Sequence, residues 1–439
     1  MTYKPTRRKF LGGAAAAAGS TLLLRSKPGE AHLFDHIPAP ERSGIEHIVV
    51  VMMENRSFDH LLGWLPGARG RQAGLHFRDP DGVRHRTFAA APTIGFMGCN
   101  NLDPDHSWEG GRTQYNNGAM DGWLRAHSDL FSISYYERRD RPFFNELALH
   151  FTALDHYFCS ILAETFPNRF FMHSAQTPVL HNGEATVAQT IPTIWDSLAA
   201  AGVSGKYYFS DLPFVALWGN KYLPIAHTYP EFLADAATGQ LPSVSFLDPR
   251  FVDEDQGTSG DDHPHADLRA GDAFLSEAFH AVATGPKWAN TVFIITYDEW
   301  GGFFDHVAPP RSVAANDVDP PDDDGNVLLG FRVPVIVASP WTRGGLFPRV
   351  DSHLFDHTSI LQLIQWRFRL PNLTARDAPE SNVHNLVRAL DFRHPDARVP
   401  RLPRPTPPLV TACGSSFVRP PDDQWLQLRR SPLMAGWRL

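Results

Sequence analysis

The sequence predicts an α/β fold: a mostly parallel central sheet with helices on both faces. Three observations carry that reading. Five short apolar runs are rich in Val, Ile, Tyr and Phe and do not alternate with polar residues, as expected for strands buried on both faces. Segments with helical apolar spacing lie between them, and the two kinds of segment alternate along the chain, the order that builds a parallel sheet.

The first run, "IEHIVVVMM" (45–53), ends in Glu54 and Asn55. From Gly63 to Arg141 periodicity weakens and Gly, Asn, Asp and Trp accumulate, which predicts long loops and a small cap over the sheet. In "LAETFPNRFFMHSA" (162–175), Thr165 precedes Pro167, a placement suited to the first turn of a helix. "TIPTIWDSLAAAG" (190–202) is a helix with a Gly stop, followed by strands "GKYYFS" (205–210) and "PSVSFL" (242–247). A helix over 268–285 leads to strand "TVFIITY" (291–297), which ends in Asp298 and Glu299. The acidic "NDVDPPDDDGN" (316–326) reads as a solvated turn, "VPVIVAS" (333–339) as the last strand, and 357–370 as a capped helix with an apolar stripe. The expected organisation is a leader over 1–31, one catalytic domain over 32–392, and a Pro-rich C-terminal tail over 393–439 that wraps the surface. The last residues, "RRSPLMAGWRL", read equally as a docked or a loose segment.

A hydrophobic fraction of 43% and a charged fraction of 20% permit a large core. The net charge is −8 and no block of Lys and Arg follows the first residues, which argues against a nucleic-acid partner. The chain begins with Arg7 and Arg8, then Phe10-Leu11 and an apolar run to Leu24. That is the layout of a twin-arginine leader, with small residues suited to cleavage after Ala31. The run is too short to cross a membrane, which takes roughly 20 residues. The leader carries six basic groups and one acidic group, so the exported chain would stand at −13. Expected partners are therefore the twin-arginine export machinery and, for the mature protein, a periplasmic or secreted location. Three cysteines, Cys99, Cys159 and Cys413, make no disulfide framework, though one bridge can form in an oxidising compartment.

Ligands of open α/β sheets bind beyond the carboxyl ends of the strands. Glu54-Asn55 and Asp298-Glu299 both follow strands, and their oxygens suit one divalent cation. Each pair alone also fits an ordinary turn; together, with histidines nearby, they point to a metal. Gly301-Gly302 permits close backbone approach to a ligand, and Asp305 and His306 follow. His306 reads as a phosphate contact or a surface residue. Thr165 reads either as a helix cap or as a hydroxyl that attacks phosphorus. His106 in "DPDHSWEGG", and His263 and His265 in "GDDHPHADL", read as phosphate contacts, proton donors or bystanders.

"ENRSFDH", "DPDHSW", "TFPNRFF", "DDHPHADL" and "YDEWGGFFDHV" occur here in one order. In that order the chain, over about residues 44–370, resembles the bacterial phosphoesterase family of phosphatidylcholine-type phospholipases C and related acid phosphatases. The resemblance implies an alkaline-phosphatase-like fold and one divalent metal on Glu54, Asn55, Thr165, Asp298 and Glu299. It implies that Thr165 is also the nucleophile, with His106, His263 and His306 binding phosphate or donating a proton. His265 stands where many relatives carry a second Pro. The implied activity is phospholipase C-type hydrolysis through a phospho-threonine, with acid phosphatase action on monoesters or non-catalytic metal and phosphate binding as alternatives. A phospholipid or small phosphate ester is the implied substrate, with transient membrane-surface contact. Trp108, Tyr115, Trp123, Tyr135 and Tyr136 read as a choline cradle or as packing. The larger phospholipases of the family carry β-rich C-terminal domains. Only some 70 residues follow the last motif here, so no lipid-docking module is expected.

Overall fold

The structure, a computed structural model, describes residues 37–345, 347–414 and 424–438. The expected leader and its cleavage site lie outside the described residues.

The core is one sheet of eight strands: β1 (His47–Met53), β2 (Thr152–Leu154), β3 (Gly205–Phe209), β4 (Ala226–Thr228), β5 (Val244–Asp248), β6 (Thr291–Tyr297), β7 (Val335–Ala338) and β8 (Arg349–Asp351). Their order across the sheet is β8-β2-β7-β6-β1-β5-β3-β4. Only β7 runs against its neighbours, so the mostly parallel expectation holds while the sense of that strand differs from the all-parallel pattern. All five expected strands belong to this sheet. β2, β4 and β8 are only three residues each, too short to show a period.

β1 lies at the centre between β6 and β5, and every one of its residues is buried. Each fully buried Val or Ile contributes about 1.5–3 kcal/mol relative to exposure, which is why the run can be apolar throughout. The helices are α1 (Phe58–Leu62), α2 (Trp108–Tyr115), α3 (Pro142–His150), α4 (Thr165–Ser174), α5 (Ile194–Ala200), α6 (Tyr229–Thr238), α7 (Leu268–Ala283), α8 (His357–Phe368) and α9 (Gln424–Arg430). α7 packs on α3 and α6, and α4 packs on α5 and α8, two groups that cover the sheet. The expected helices begin at caps: Thr193 for α5, Asp267 for α7 and Asp356 for α8 each accept a backbone N–H of the first turn. The weakly patterned stretch after Gly63 forms loops, α2 and short two-stranded ribbons. In the acidic 316–326 turn, Asp319 is buried and pins α2 through Trp108 Nε1 and Arg112, both at 2.9 Å, rather than being solvated.

The C-terminal segment is docked. Residues 393–414 run extended along the surface; Trp288 donates to Ala397 and Ser276 to Pro403. Cys99 and Cys413 form a disulfide that links positions 314 residues apart, and Cys159 is a buried thiol. α9 then returns to the carboxyl end of the sheet with Trp425 and Leu428 buried.

Candidate active site

The register of the central strands builds the site. β1 and β6 pair in parallel with Met53 opposite Tyr297, so Glu54 and Asp298 leave the sheet side by side. Asn55 then turns with φ 59, a left-handed conformation that Asn tolerates better than most residues. Its N–H donates to Asp298 Oδ1 at 3.1 Å, and its Oδ1 accepts the Thr165 hydroxyl at 3.4 Å. Gly301 and Gly302 have φ 62 and 69. A Cβ at Gly301 would collide with the Asn55 carbonyl, and one at Gly302 with the backbone of Pro104. The glycines therefore admit close approach of protein backbone, not of a ligand as expected.

Thr165 opens α4, every residue of which is buried. Glu164 precedes it and holds Asn182 N at 2.6 Å and His181 at 3.1 Å; Asn182 Oδ1 in turn accepts Phe166 N at 2.7 Å. One turn further on the same face, Arg169 reaches Asp298 Oδ2 at 3.0 Å, Asp248 Oδ1 at 3.0 Å and Glu54 Oε1 at 3.2 Å. Asp298 thus has both oxygens engaged: Oδ1 by the N–H groups of Asn55 and Glu299, Oδ2 by Arg169. A cation at Asp298 would share Oδ2 with that guanidinium. Glu299 Oε2 accepts Gly301 N at 2.7 Å.

Burial lifts the carboxyls of Glu54 and Glu299 well above the usual range. It lifts Asp298 as well, although Arg169 opposes it. Four buried carboxylate oxygens here meet no N–H or hydroxyl donor, namely Glu54 Oε2, Glu299 Oε1, Asp103 Oδ1 and Asp261 Oδ2, although Glu54 and Asp261 each share a carboxyl hydrogen bond with Glu254. Unpaired buried anionic oxygens are costly and call for a positive ligand. The donor set therefore fits a divalent cation with hard oxygen preferences. Two sets of three ligand atoms approach within 4.8 Å around this region, Glu54 with Glu254 and Asp261, and Asp103 with His106 and His263.

His106 and His263 face each other with ring centroids 6.3 Å apart. His106 Nδ1 is fixed on the Pro104 carbonyl at 2.8 Å and Nε2 turns to Asn55 at 3.3 Å. Burial depresses its pKa, but the charges of Glu299 and Asp103 outweigh that and push it up to about 10. Burial, with His265 and His106 adding to it, holds His263 well below the usual value; its Nε2 lies 3.5 Å from Asp103. The surroundings thus push the two imidazoles in opposite directions, His106 up and His263 down, while a proton on His106 Nε2 would displace the Asn55 Nδ2 donor. His265 turns to the Asn101 carbonyl.

Thr165, Asn55, Glu54, Asp298, Glu299, His106 and His263 lie at one end of the sheet, but among the described residues the ligand atoms that converge within 4.8 Å there are those of Glu54 with Glu254 and Asp261 and those of His106 with Asp103 and His263. His306 does not join them through any contact described. Its Nδ1 and backbone N bind Asp59 Oδ2, in a cluster with Asp305 and Arg332. The aromatic residues of the loops also do other work. Trp123 is buried against Phe331, Tyr136 donates to Gly95, and Trp108 lies under Arg112, so for these three the packing reading applies.

A cleft of about 230 Å³ opens beside His106 and is lined by Asp103, Asp105, His127, Glu164, Asn182 and Gln424. Sequence reasoning missed several of these neighbours. Arg169 sits four residues after Thr165, a helical spacing that places both on one face of α4, and Asp103 lies three residues before His106 in the same loop; those signals were present. His127, Glu254 and Trp425 carried none.

The phosphoesterase family model matches residues 45–371. The chain belongs to the phosphoesterase family. It is 34% identical over 464 aligned residues to phospholipase C B of Mycobacterium tuberculosis, covering 89% of this chain and 86% of that one. Non-specific phospholipase C1 of Arabidopsis thaliana is 32% identical, covering 80% and 72%. A solved protein of the alkaline phosphatase superfamily from Vibrio parahaemolyticus covers 75% of this chain and 68% of its own at 10% identity, but its TM-score of 0.40 is too low to carry an argument.

Proposed function

We propose that this phosphoesterase is an exported, metal-dependent phosphodiesterase of phospholipase C type, with Thr165 as its nucleophile. The charge balance of the site carries the reading. Glu54, Asp103, Asp298 and Glu299 crowd around Thr165 and His106, while Arg169 is already committed to three carboxylates. An anionic phosphate would be repelled from such a site unless a cation were also present. The named relatives, which are phospholipases C, support the ester class.

A divalent cation held by Glu54, Asn55, Thr165 and Glu299, with Asp298 shared with Arg169, would supply Lewis-acid polarisation of a phosphoryl oxygen and acidify the Thr165 hydroxyl. The chain's own groups do the rest. Asn55 Oδ1 accepts the hydrogen bond of the Thr165 hydroxyl and orients Oγ1, whose proton passes to solvent. Thr165 Oγ1 bonds to phosphorus as the P–O bond to the alcohol breaks, and His106, once Nε2 carries a proton in place of its Asn55 contact, gives that proton to the departing oxygen. Water then cleaves the phospho-threonine; His263 takes the proton of that water, and Thr165 Oγ1 recovers a proton as its P–O bond breaks. The acidic cleft wall of Asp103, Asp105 and Glu164 favours a diester with a cationic head group over a dianionic monoester. Export fits the Cys99–Cys413 bridge, since such bonds persist in oxidising compartments. Transient contact with a lipid surface completes the reading; no helix among the described residues is long and apolar enough to cross a membrane.

The test is Thr165→Ala, assayed on phosphatidylcholine and on p-nitrophenyl phosphate with metal content measured on the same sample. The expected result is loss of both activities by on the order of 10³-fold or more. Full turnover with metal bound would remove Thr165 from the mechanism, and a wild-type preference for the monoester would favour the phosphatase reading.

A further inference from the structure

Glu54 is held by a residue from the far end of the chain. The indole Nε1 of Trp425 donates to Glu54 Oε1 at 3.0 Å, across 371 residues of sequence. Trp425 is 1% exposed. Its ring lies flat on Phe251, with centroids 3.7 Å apart and planes 4° from parallel. It also meets Phe166, the neighbour of Thr165, edge-on at 5.2 Å. Arg169 Nη2 reaches the same Glu54 oxygen at 3.2 Å. Oε1 is thereby occupied by two donors from rigid, buried groups, and Oε2 is left facing the carboxyls of Glu254 and Asp261 with no N–H donor.

A glutamate side chain has three torsions to fix, and fixing them costs up to about 2 kcal/mol of rotamer freedom. Trp425 bears that cost before any ligand arrives. The indole N–H is a donor only and carries no charge. It can therefore orient the carboxylate without cancelling the charge that attracts a cation, which a second Arg or Lys would do. Next to it, Gln424 lines the cleft opposite His106, so α9 meets the site at two adjacent residues.

We propose that Trp425 is a positioning residue: the C-terminal segment completes the active site by presenting Glu54 Oε2 to the metal. This rests on the reading of Glu54 as a metal ligand. It gives the tail a direct part in function, where the sequence had suggested only a surface wrap.

Two variants separate the N–H from the packing. Trp425→Phe retains an aromatic ring on Phe251 and loses the donor. Replacement of Trp425 by benzothienylalanine, introduced by ligating a synthetic C-terminal peptide, retains the shape of the indole and removes only the N–H. The probe is Mn²⁺, titrated into metal-stripped protein by calorimetry, with the thermal midpoint in chelator as the control and Glu54→Gln as the reference. The expected result is a Kd for Mn²⁺ raised about 10–100-fold in both variants, the range for lost partners of metal ligands, with the midpoint in chelator unchanged for the benzothienyl protein. Wild-type Mn²⁺ affinity in both variants, with weakened binding in Glu54→Gln, would overturn the inference and leave the metal reading standing. Undiminished affinity in Glu54→Gln would overturn both.

Discussion

Two buried carboxylate clusters lie a few residues apart in sequence and behave in opposite ways. In the Asp59–Asp305 cluster every carboxylate oxygen accepts two hydrogen bonds. Arg71 N and Arg332 meet Asp59 Oδ1; the backbone and ring of His306 meet Oδ2. Asp305 is held by Val307 N, Asp59 N and both arms of Arg332. In the Glu54–Glu299 cluster Asp298 is fully engaged, but Glu54 Oε2 and Glu299 Oε1 meet no N–H or hydroxyl donor. Burial raises Asp305 only to about 6, because Arg332 offsets it, whereas it raises Glu54 and Glu299 well above the usual range. The first cluster is balanced within the chain and serves as scaffold. The second is short of positive charge and is stable as drawn only with a ligand or bound protons. Proximity of acids and histidines does not mark a site; unsatisfied oxygens do.

The largest effect that would sharpen this contrast is on activity. Glu299→Gln should lower turnover on the order of 10³-fold and weaken Mn²⁺ binding. Because it removes an uncompensated buried charge, it should leave the melting midpoint in chelator unchanged or higher. Steady-state hydrolysis and calorimetry on the same sample check this. A midpoint several degrees lower in chelator would show that Glu299 is scaffold like Asp305 and break the comparison.

The reverse substitution belongs in the other cluster. Arg332→Met leaves Asp59 and Asp305 buried without their counter-charge, which costs about 3–5 kcal/mol. Urea unfolding in chelator should show that loss, while the Mn²⁺ Kd of the folded variant stays at the wild-type value. A Kd raised as far as in Glu299→Gln would mean the two clusters work as one.

What the sequence disclosed depended on how local the signal was. β1 and β6 were legible because seven consecutive buried residues admit no polar alternation, and the polar pairs that end them were legible for the same reason. Parallel register then brings those pairs together without further information. His306 follows Glu299 by only seven residues, yet its turn carries its Nδ1 onto Asp59, a pairing no local spacing announces. Trp425 was invisible: no periodicity or spacing relates a tail residue to Glu54, and only the packed structure sets the indole against that carboxylate. The reversed sense of β7 was equally hidden, since an all-apolar four-residue strand reads alike in both directions.

A third environment calibrates both clusters. His173 on α4 is 1% exposed and surrounded by Phe246, Phe214, Tyr207 and Trp195. It has neither a counter-charge nor a partner at Nε2. Burial, and then the charge of Arg169, depress its pKa to about 3. The folded value lies below the unfolded value of about 6.5, so between those values the unfolded chain binds the extra proton and stability falls as pH falls. From pH 7 to pH 5 this one residue should cost about 2 kcal/mol. His173→Phe should flatten the acid side of the stability profile by that amount without changing the Mn²⁺ Kd, as measured by urea unfolding in chelator at the two pH values. An unchanged slope would show that His173 is not the source of the acid sensitivity, and the carboxylate clusters could not supply it either. Their raised values favour the protonated folded state and so oppose the effect of His173, stabilising as pH falls through the interval between unfolded and folded pKa.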